Sequence, residues 1–441
     1  MQEKVTPRIL PGFQELLPGE QIRFNQMYDT IRSVYESFGF LPLDTPVIEL
    51  SEVLLAKAGG ETEKQIYRFQ KGENDLSLRF DLTVPLARYV AAHYNDLVFP
   101  FKRYQMSKVF RGERPQKGRF REFYQCDIDI IGGEELDLLY DAEIPAIIHQ
   151  VFLKLGIGKF TIRINNRKIL GGFFGSLGLS DKIEQILRIL DKMEKIGRDS
   201  VLAELIRSGV PEEKTGAILD FISIGGTNEQ ILSSLRGMAA ADEQFREGVE
   251  ELAAVTDGMR LFGMPEDSFR IDLTIARGLD YYTGTVYETQ IDAHPEFGSV
   301  CSGGRYDNLT GYYTDKKLPG IGISIGLTRL FSQLLACGLI VPEASSTAKV
   351  LVIPMDRASV PFAAAAATDF RDAGIATDVY YGDGGMKKKM KYAGKCGVPY
   401  TAIVGEAEAA SRTVALKDMR NGTQQAVSVE KAVEILKNSE R

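Results

Sequence analysis

A chain of 441 residues, 44% hydrophobic and 26% charged, has the composition of an ordinary folded protein and the length for two or three domains. Its net charge of −7 argues against indiscriminate nucleic-acid binding by the whole surface. No apolar run approaches the roughly 20 residues that span a bilayer, and MQEKVTPRILPGF carries no signal-peptide core, so the expected location is the cytoplasm.

In chain order, PGEQIRFNQMYDTIRSVYESFGF opens on Pro18-Gly19, sets Ile22, Met27, Ile31, Val34 and Phe38 at helical spacing and stops at Gly39. LPLDTPVIEL reads as an extended segment whose prolines, Pro42 and Pro46, favour an edge or an interface. Short strand patterns follow in LSLRFDL, in 104–111 and in 120–131. A long helix is predicted over GEELDLLYDAEIPAIIHQVFLKLG, then a half-buried strand in KFTIRIN. This alternation favours an antiparallel sheet. From about 170 to 260 only helical patterns occur, which reads as a helical insertion because strand patterns resume at Phe269. Phe269, Ile271, Leu273 and Ile275 before RGLDYYTGTVYE, and Thr285 and Val286 near its end, predict strand, turn, strand. IVPEASSTA (340–348) has a linker's composition, and β and α patterns alternate beyond it in a small α/β domain. Four dispersed cysteines without CxxC and three histidines without HExxH argue against a structural zinc site and against histidine acid–base catalysis. Chemistry here falls to arginines, carboxylates and tyrosines.

The strongest physical signal is KRYQMSKVFRGERPQKGRFREFYQCDIDIIG. From Lys102 to Glu122 it carries eight basic side chains against two acids, a basic island in an acidic protein. Either it is a solvated hairpin or it receives a specific anion. In the second strand Phe123, Gln125, Asp127 and Asp129 share one face, while Tyr124, Cys126, Ile128 and Ile130 form the buried row. Arg111 and Glu113 share a face of the first. A sheet face with arginine, ring, amide and acids is expensive to bury without partners, and makes sense if a ligand supplies phosphate, ring and cation.

These residues resemble motif 2 of class II aminoacyl-tRNA synthetases, with Phe110-Arg111-Gly112-Glu113 as the arginine–glutamate signature. FLPLDTPVIEL resembles motif 1, with its interface proline Pro46, and GIGISIGLTRL (320–330) resembles motif 3. RGLDYYTGTVYE and CSGGRYDNL (301–309) are similar to the signature segments of the histidyl-tRNA synthetase family. FYQCDIDIIG is closer to the archaeal and eukaryotic branch, and Asp81 and Asp129 stand where many bacterial members have glutamate.

The resemblance implies an α+β fold: a class II antiparallel sheet flanked by helices, with a helical insertion and a C-terminal α/β anticodon-binding domain. Its domains would be a catalytic domain over 1–339 with the insertion at 170–260, a linker at 340–348 and the anticodon-binding domain at 349–441. It implies a homodimer through the Pro46 region and a histidine–tRNA ligase using ATP with Mg2+, histidine and tRNA for histidine. Arg111 would bridge the α-phosphate and the amino-acid carboxylate, with Arg277 opposite. Arg329, at the start of an apolar helix after Gly326, would meet the terminal phosphate, and Arg119 the pyrophosphate moiety. Phe123 would stack on adenine beside Glu113. Histidine would be held by Asp81, Thr83, Arg111, Gln125, Asp129, Arg277, Tyr281, Tyr282 and Tyr306, with Asp81 and Gln125 on the α-ammonium and Asp129 on a ring nitrogen. Arg114 and Gln116 would read the extra 5′ guanosine of the tRNA. Asp280 has no assigned role, and Gly303-Gly304 reads equally as a bulge or close sheet packing, or as a place where backbone approaches the ligand. KKKMK (387–391) reads either as a solvated helix face or as a phosphate contact.

A second reading comes from idle paralogues that serve as histidine-sensing regulatory subunits of ATP phosphoribosyltransferase. They usually lack the anticodon-binding domain and parts of the ATP machinery, whereas Arg111, Glu113, Arg277 and Arg329 all stand in this chain. No GxxxxGK[ST] occurs, which excludes a P-loop as a motif.

Overall fold

The computed structural model describes residues 4–56, 61–114, 118–190, 192–238, 242–275, 282–342 and 346–439. Two compact units divide it. One takes the chain up to Gln14 with Tyr28–Leu339; the other takes Glu15–Met27 with Ile340–Arg441.

The first helix runs Pro18–Ser37, close to the extent its spacing predicts. Its Tyr35 hydroxyl donates to the Cys126 carbonyl at 3.0 Å and fixes its C-terminal half on the sheet. The strands that follow are β1 (Leu41–Pro42), β2 (Ile48–Leu50), β3 (Arg68–Lys71), β4 (Asn74–Leu78), β5 (Phe101–Phe110), β6 (Glu122–Ile131), β7 (Phe160–Asn166), β8 (Phe269–Ile271), β9 (Thr285–Ile291), β10 (Cys301–Tyr306) and β11 (Gly320–Ile325). Eight of them form one sheet, in the order β1-β5-β6-β11-β10-β9-β7-β8, and β2, β4 and β3 form a smaller one. The run from β5 to β7 is antiparallel throughout, and the outermost strands β1 and β8 join in parallel. The proline segment does lie at an edge, where β1 pairs with the Arg103–Tyr104 stretch of β5.

The strand, turn, strand expected around RGLDYYTGTVYE does not close on itself as a paired hairpin. β8 and β9 do not pair, because β7 lies between them, with Ile162 opposite both Phe269 and Thr289. Two strands that each prefer an interior neighbour satisfy more backbone groups around a third strand than as an isolated ribbon. The helix predicted from Gly133 begins only at Leu139, where the Asp137 side chain accepts from the Leu139 N–H at 2.8 Å. Between β7 and β8 every described element is a helix, from Arg167–Ser176 through Glu243–Leu261.

Apolar patterning explains which face is which. Cys126, Ile128 and Ile130 are fully buried on one side of β6, and the opposite side carries the polar row. Behind the sheet the helix Leu139–Leu155 packs against Glu243–Leu261. A buried ion pair locks β10 to that layer: Arg305 Nη2 meets Asp141 at 2.6 Å and also reaches the Leu136 carbonyl.

In the second unit β12 (Val350–Pro354), β13 (Thr377–Val379), β14 (Tyr400–Val404), β15 (Thr413–Asp418) and β16 (Gln424–Ser428) form a five-stranded sheet. The order is β13-β12-β14-β15-β16, parallel across the first three strands and antiparallel beyond. Its core includes Val352, Phe370, Ala402, Leu416 and Leu436. KKKMK lies on the helix Met386–Cys396, where Lys387, Lys388 and Lys391 are exposed. Lys389 departs from a solvated face, for it is buried with Nζ 2.6 Å from the Pro354 carbonyl.

Candidate active site

The polar face of β6 borders a cavity of about 570 Å3. Phe123, Gln125, Asp127 and Asp129 all line it, as the period-two reading requires. β10 and β11 form its floor, the loop before the helix Thr83–Ala92 supplies one wall, and the start of the helix Leu327–Ala336 another. The floor is bare where it must be: Gly322 pairs with Asp129, and a Cβ there would stand 2.2 Å from Asp129 Oδ1.

The three aspartates that line the cavity are in three different situations. Asp129 is matched on both oxygens, by Arg103 Nη2 at 2.6 Å and by the Tyr306 hydroxyl at 2.7 Å. Burial raises its carboxyl above the usual range, and Arg103 and then Tyr306 oppose that. Asp81 uses Oδ1 to accept from the Thr83 and Val84 N–H groups, at 3.0 and 2.9 Å, and so caps the helix Thr83–Ala92. Burial raises its carboxyl too, against those backbone donors and Arg111. Asp127 lies between them in charge but without their partners. Burial pushes its carboxyl up to about 7, the Arg103 charge and the Ser324 hydroxyl pull it down, and Asp129 and Asp81 add to the rise.

The arginines gather at the other end. Arg111 follows β5 directly, so the shared face expected within that strand is corrected: Arg111 and Glu113 stand just past its last residue. The Arg111 guanidinium carbon lies 4.4 Å from the Phe80 ring centre and 5.1 Å from that of Phe123, and Nε donates to the Phe80 carbonyl at 3.3 Å. Two aromatic contacts and a backbone acceptor hold the group before any ligand arrives. Arg119 Nη1 is 3.4 Å from Glu113 Oε2. Arg329 is the third residue of the helix Leu327–Ala336, whose N-cap is Gly326, and its Nη2 donates to the Phe297 carbonyl at 2.5 Å. There the helix dipole favours negative charge.

Of the residues expected in the site, Asp81, Thr83, Arg111, Glu113, Arg119, Phe123, Gln125, Asp129, Tyr282, Tyr306 and Arg329 all border this one cavity. Arg114 does not; it is exposed. Gln116, Arg277, Asp280 and Tyr281 lie outside the described residues. Gly303 borders the cavity and a Cβ there would stand 2.1 Å from the Gly322 carbonyl oxygen, which favours close sheet packing as the reason for that glycine.

Sequence reasoning missed Arg103, Ser324 and the helical-region residues Arg167, Leu187 and Arg188, which also line the cavity or, for Arg103, brace it. Arg103 was findable. Folding the two strands about the 111–121 connection places it opposite Asp129 in register. Nothing local marks Arg167 or Arg188, since only tertiary folding carries those helices over the site.

An antiparallel sheet with Arg111 after one hairpin strand and Arg329 on the helix after another, around a polar cavity, is the architecture of a class II aminoacyl-tRNA synthetase. The family profile described as histidyl-tRNA synthetase matches residues 12–330, and one described as an anticodon binding domain matches 349–439. A histidine–tRNA ligase from Clostridium tetani is 56% identical over 436 residues, covering 99% of each chain. The crystal structure of histidyl-tRNA synthetase from Nostoc sp. PCC 7120 superposes with a TM-score of 0.90 at 44% identity, over 98% of this chain and 99% of that one. A structure titled ATP phosphoribosyltransferase regulatory subunit/histidyl-tRNA synthetase from Bacillus halodurans is similar in fold alone, at 20% identity and a TM-score of 0.73 over 88% and 97% of the two chains. The chain belongs to the histidyl-tRNA synthetase family.

Proposed function

We propose that the cavity activates histidine with ATP and passes it to the 3′ end of tRNA for histidine. The chain is an aminoacyl-tRNA ligase. A histidine carboxylate oxygen attacks the α-phosphorus of ATP, the bond to pyrophosphate breaks, and a ribose hydroxyl of the tRNA then displaces AMP from the adenylate. The observation that carries this reading is the union, in one cavity, of an arginine end and a carboxylate–tyrosine end. Phosphoryl transfer concentrates negative charge at phosphorus, so fixed cations supply most of the acceleration. Arg111 takes the α-phosphate and the carboxylate, with Arg277 as its counterpart; Arg119 and Arg329 take the outer phosphates. Phe123 stacks on adenine, and Glu113 accepts from the base. Magnesium enters on the triphosphate.

Asp129 and Tyr306 address the imidazole, with Tyr281 and Tyr282, while Asp81, Thr83 and Gln125 serve the amino-acid end. A pocket that hydrogen-bonds a ring nitrogen rejects apolar analogues strongly. Arg114 and Gln116 meet the acceptor end of the tRNA, and residues 349–441 its anticodon. We further read 1–339 as the catalytic domain, with an insertion at 170–260 and a linker at 340–348. The assembly is a homodimer joined near Pro46, in the cytoplasm. Among the described residues no helix is long and apolar enough to cross a membrane.

The test is ATP–pyrophosphate exchange with each amino acid in turn. Histidine alone is expected to drive it, and no exchange with any amino acid would sink the reading. In the same assay Arg277→Ala is expected to cripple exchange and leave histidine binding, measured calorimetrically, nearly intact. Unchanged turnover would show that Arg277 has no part in adenylate formation.

A further inference from the structure

Two buried acceptor atoms, one on Asp127 and one on Gln125, have no described donor. Asp127 is 2% exposed and Gln125 8%, and both border the cavity. Among the described residues neither Asp127 Oδ1 nor Gln125 Oε1 has a hydrogen-bond partner. They are two apart on β6 and so face the same way, with side chains roughly 7 Å apart along the strand. Ser324, opposite Asp127 on β11, is the hinge between them: its hydroxyl accepts from Gln125 Nε2 at 2.6 Å.

The neighbouring cations do not meet this need. Arg103 gives Nη2 to Asp129 at 2.6 Å and to the Leu82 carbonyl at 3.1 Å, and although its charge favours the Asp127 carboxylate, its Nε and Nη1 make no hydrogen bond to it or to any other described residue. Arg79 donates to the carbonyls of Lys108 and Thr45 and faces Asp44 at 3.5 Å. The pairing Arg103–Asp129 is neutral as a unit, so Asp127 is left as a carboxylate without a described ion-pair partner in the pocket wall. A buried carboxylate with an open oxygen is strongly unfavourable: either it takes up a proton, the direction in which burial already pushes Asp127, or a cation comes to it.

Position identifies the cation. Arg111 lies against Phe123, one step up the same row, and marks where the amino-acid carboxylate meets the α-phosphate in the function proposed above. The row then reads Phe123, Gln125, Asp127, Asp129. An α-ammonium sits one carbon from the carboxylate, and it brings three N–H donors. Asp81, the other acid near that end, already has Oδ1 engaged by two backbone N–H groups. We infer that Asp127, with Gln125, receives the α-ammonium of the substrate, and that Asp129 is left to the ring. This rests on the reading that the cavity binds histidine.

The experiment compares three ligands at pH 8, on the wild-type chain and on Asp127→Asn. Histidine and histidinol carry the ammonium; imidazolepropionate keeps ring and carboxylate but lacks it. Calorimetric affinities for the first two are expected to fall on the order of 10- to 100-fold in the variant, the range for losing a charged hydrogen bond. Imidazolepropionate is expected to change by less than about threefold, because it never met Asp127. Equal losses for all three ligands would place Asp127 on the ring or the scaffold and overturn the inference. Should Asp127→Asn fail to fold, Ser324→Ala leaves both acids in the chain and removes the hydroxyl that Gln125 and Asp127 share. It is expected to weaken histidinol relative to imidazolepropionate, and an unchanged ratio overturns the inference. The wild-type exchange assay separates the two levels: no histidine-dependent exchange sinks the functional reading itself, whereas exchange with equal losses sinks only the role given to Asp127.

Discussion

Replacing Arg111 by glutamine is expected to slow histidine-dependent ATP–pyrophosphate exchange by roughly 10²- to 10³-fold, the loss seen when one pre-aimed electrostatic donor is taken from a transition state. The argument is geometric. Its guanidinium is fixed by the Phe80 and Phe123 rings and by the Phe80 carbonyl, so little reorganisation is needed when charge develops at phosphorus. The expected signature is a fall in kcat larger than any rise in KM for histidine, since the interaction strengthens on the way to the transition state. Lysine should rescue poorly, because a point charge neither stacks between rings nor spans two oxyanions. A variant within threefold of wild type in kcat would remove Arg111 from the chemistry.

Arg103→Met carries the largest expected effect on stability. Arg103 and Asp129 are both buried, and removing the cation leaves the carboxylate without its ion-pair partner. That costs about 3–5 kcal/mol in comparable buried pairs. The pH dependence gives the prediction its sign. Burial already raises the Asp129 carboxyl, and Arg103 is the main influence holding it down, so its loss raises the folded-state value further. A carboxyl raised on folding stabilises fully only below its unfolded value, and that contribution is lost as pH rises through the folded one. The melting temperature of Arg103→Met is therefore expected to fall more steeply than wild type as pH rises above about 4, the range of an ordinary aspartate. Adding Asp129→Asn should restore much of the loss and flatten the slope. Equal melting curves for Arg103→Met and wild type would show that the pair contributes no net stability.

How far the sequence could be read depended on how local each signal was. The β6 row was legible because a strand alternates sides with period two, so four residues could be assigned to a face without knowing what lay opposite. The long helices and the small C-terminal sheet followed from equally local patterns. The strand order was not legible. Nothing between Phe269 and Ile291 tells that β7, more than a hundred residues earlier, enters between β8 and β9. Which residues share the cavity was legible through motif spacing, but the different surroundings of its aspartates were not. Asp81, Asp127 and Asp129 differ only in what other segments bring to them: backbone donors, a serine hydroxyl, or an arginine and a tyrosine. Arg188 and Leu187 reach the cavity only through tertiary packing of helices whose own pattern is that of ordinary surface helices.

The bare glycines at the centre of the sheet bear on how such a pocket can change over time. A Cβ at Gly303 would lie 2.1 Å from one neighbouring carbonyl oxygen, and one at Gly322 would lie 2.2 Å from Asp129 and 2.5 Å from the Ile128 carbonyl. Main chain cannot be exchanged residue by residue, and even alanine, the smallest step available, collides there. The floor therefore offers selection no graded series of sizes. In the function proposed above, any drift toward another amino acid has to begin on the walls of the cavity, at Gln125, Asp127, Asp129, Tyr282 and Tyr306, where a side chain can shorten or change charge while the sheet beneath stays as it is.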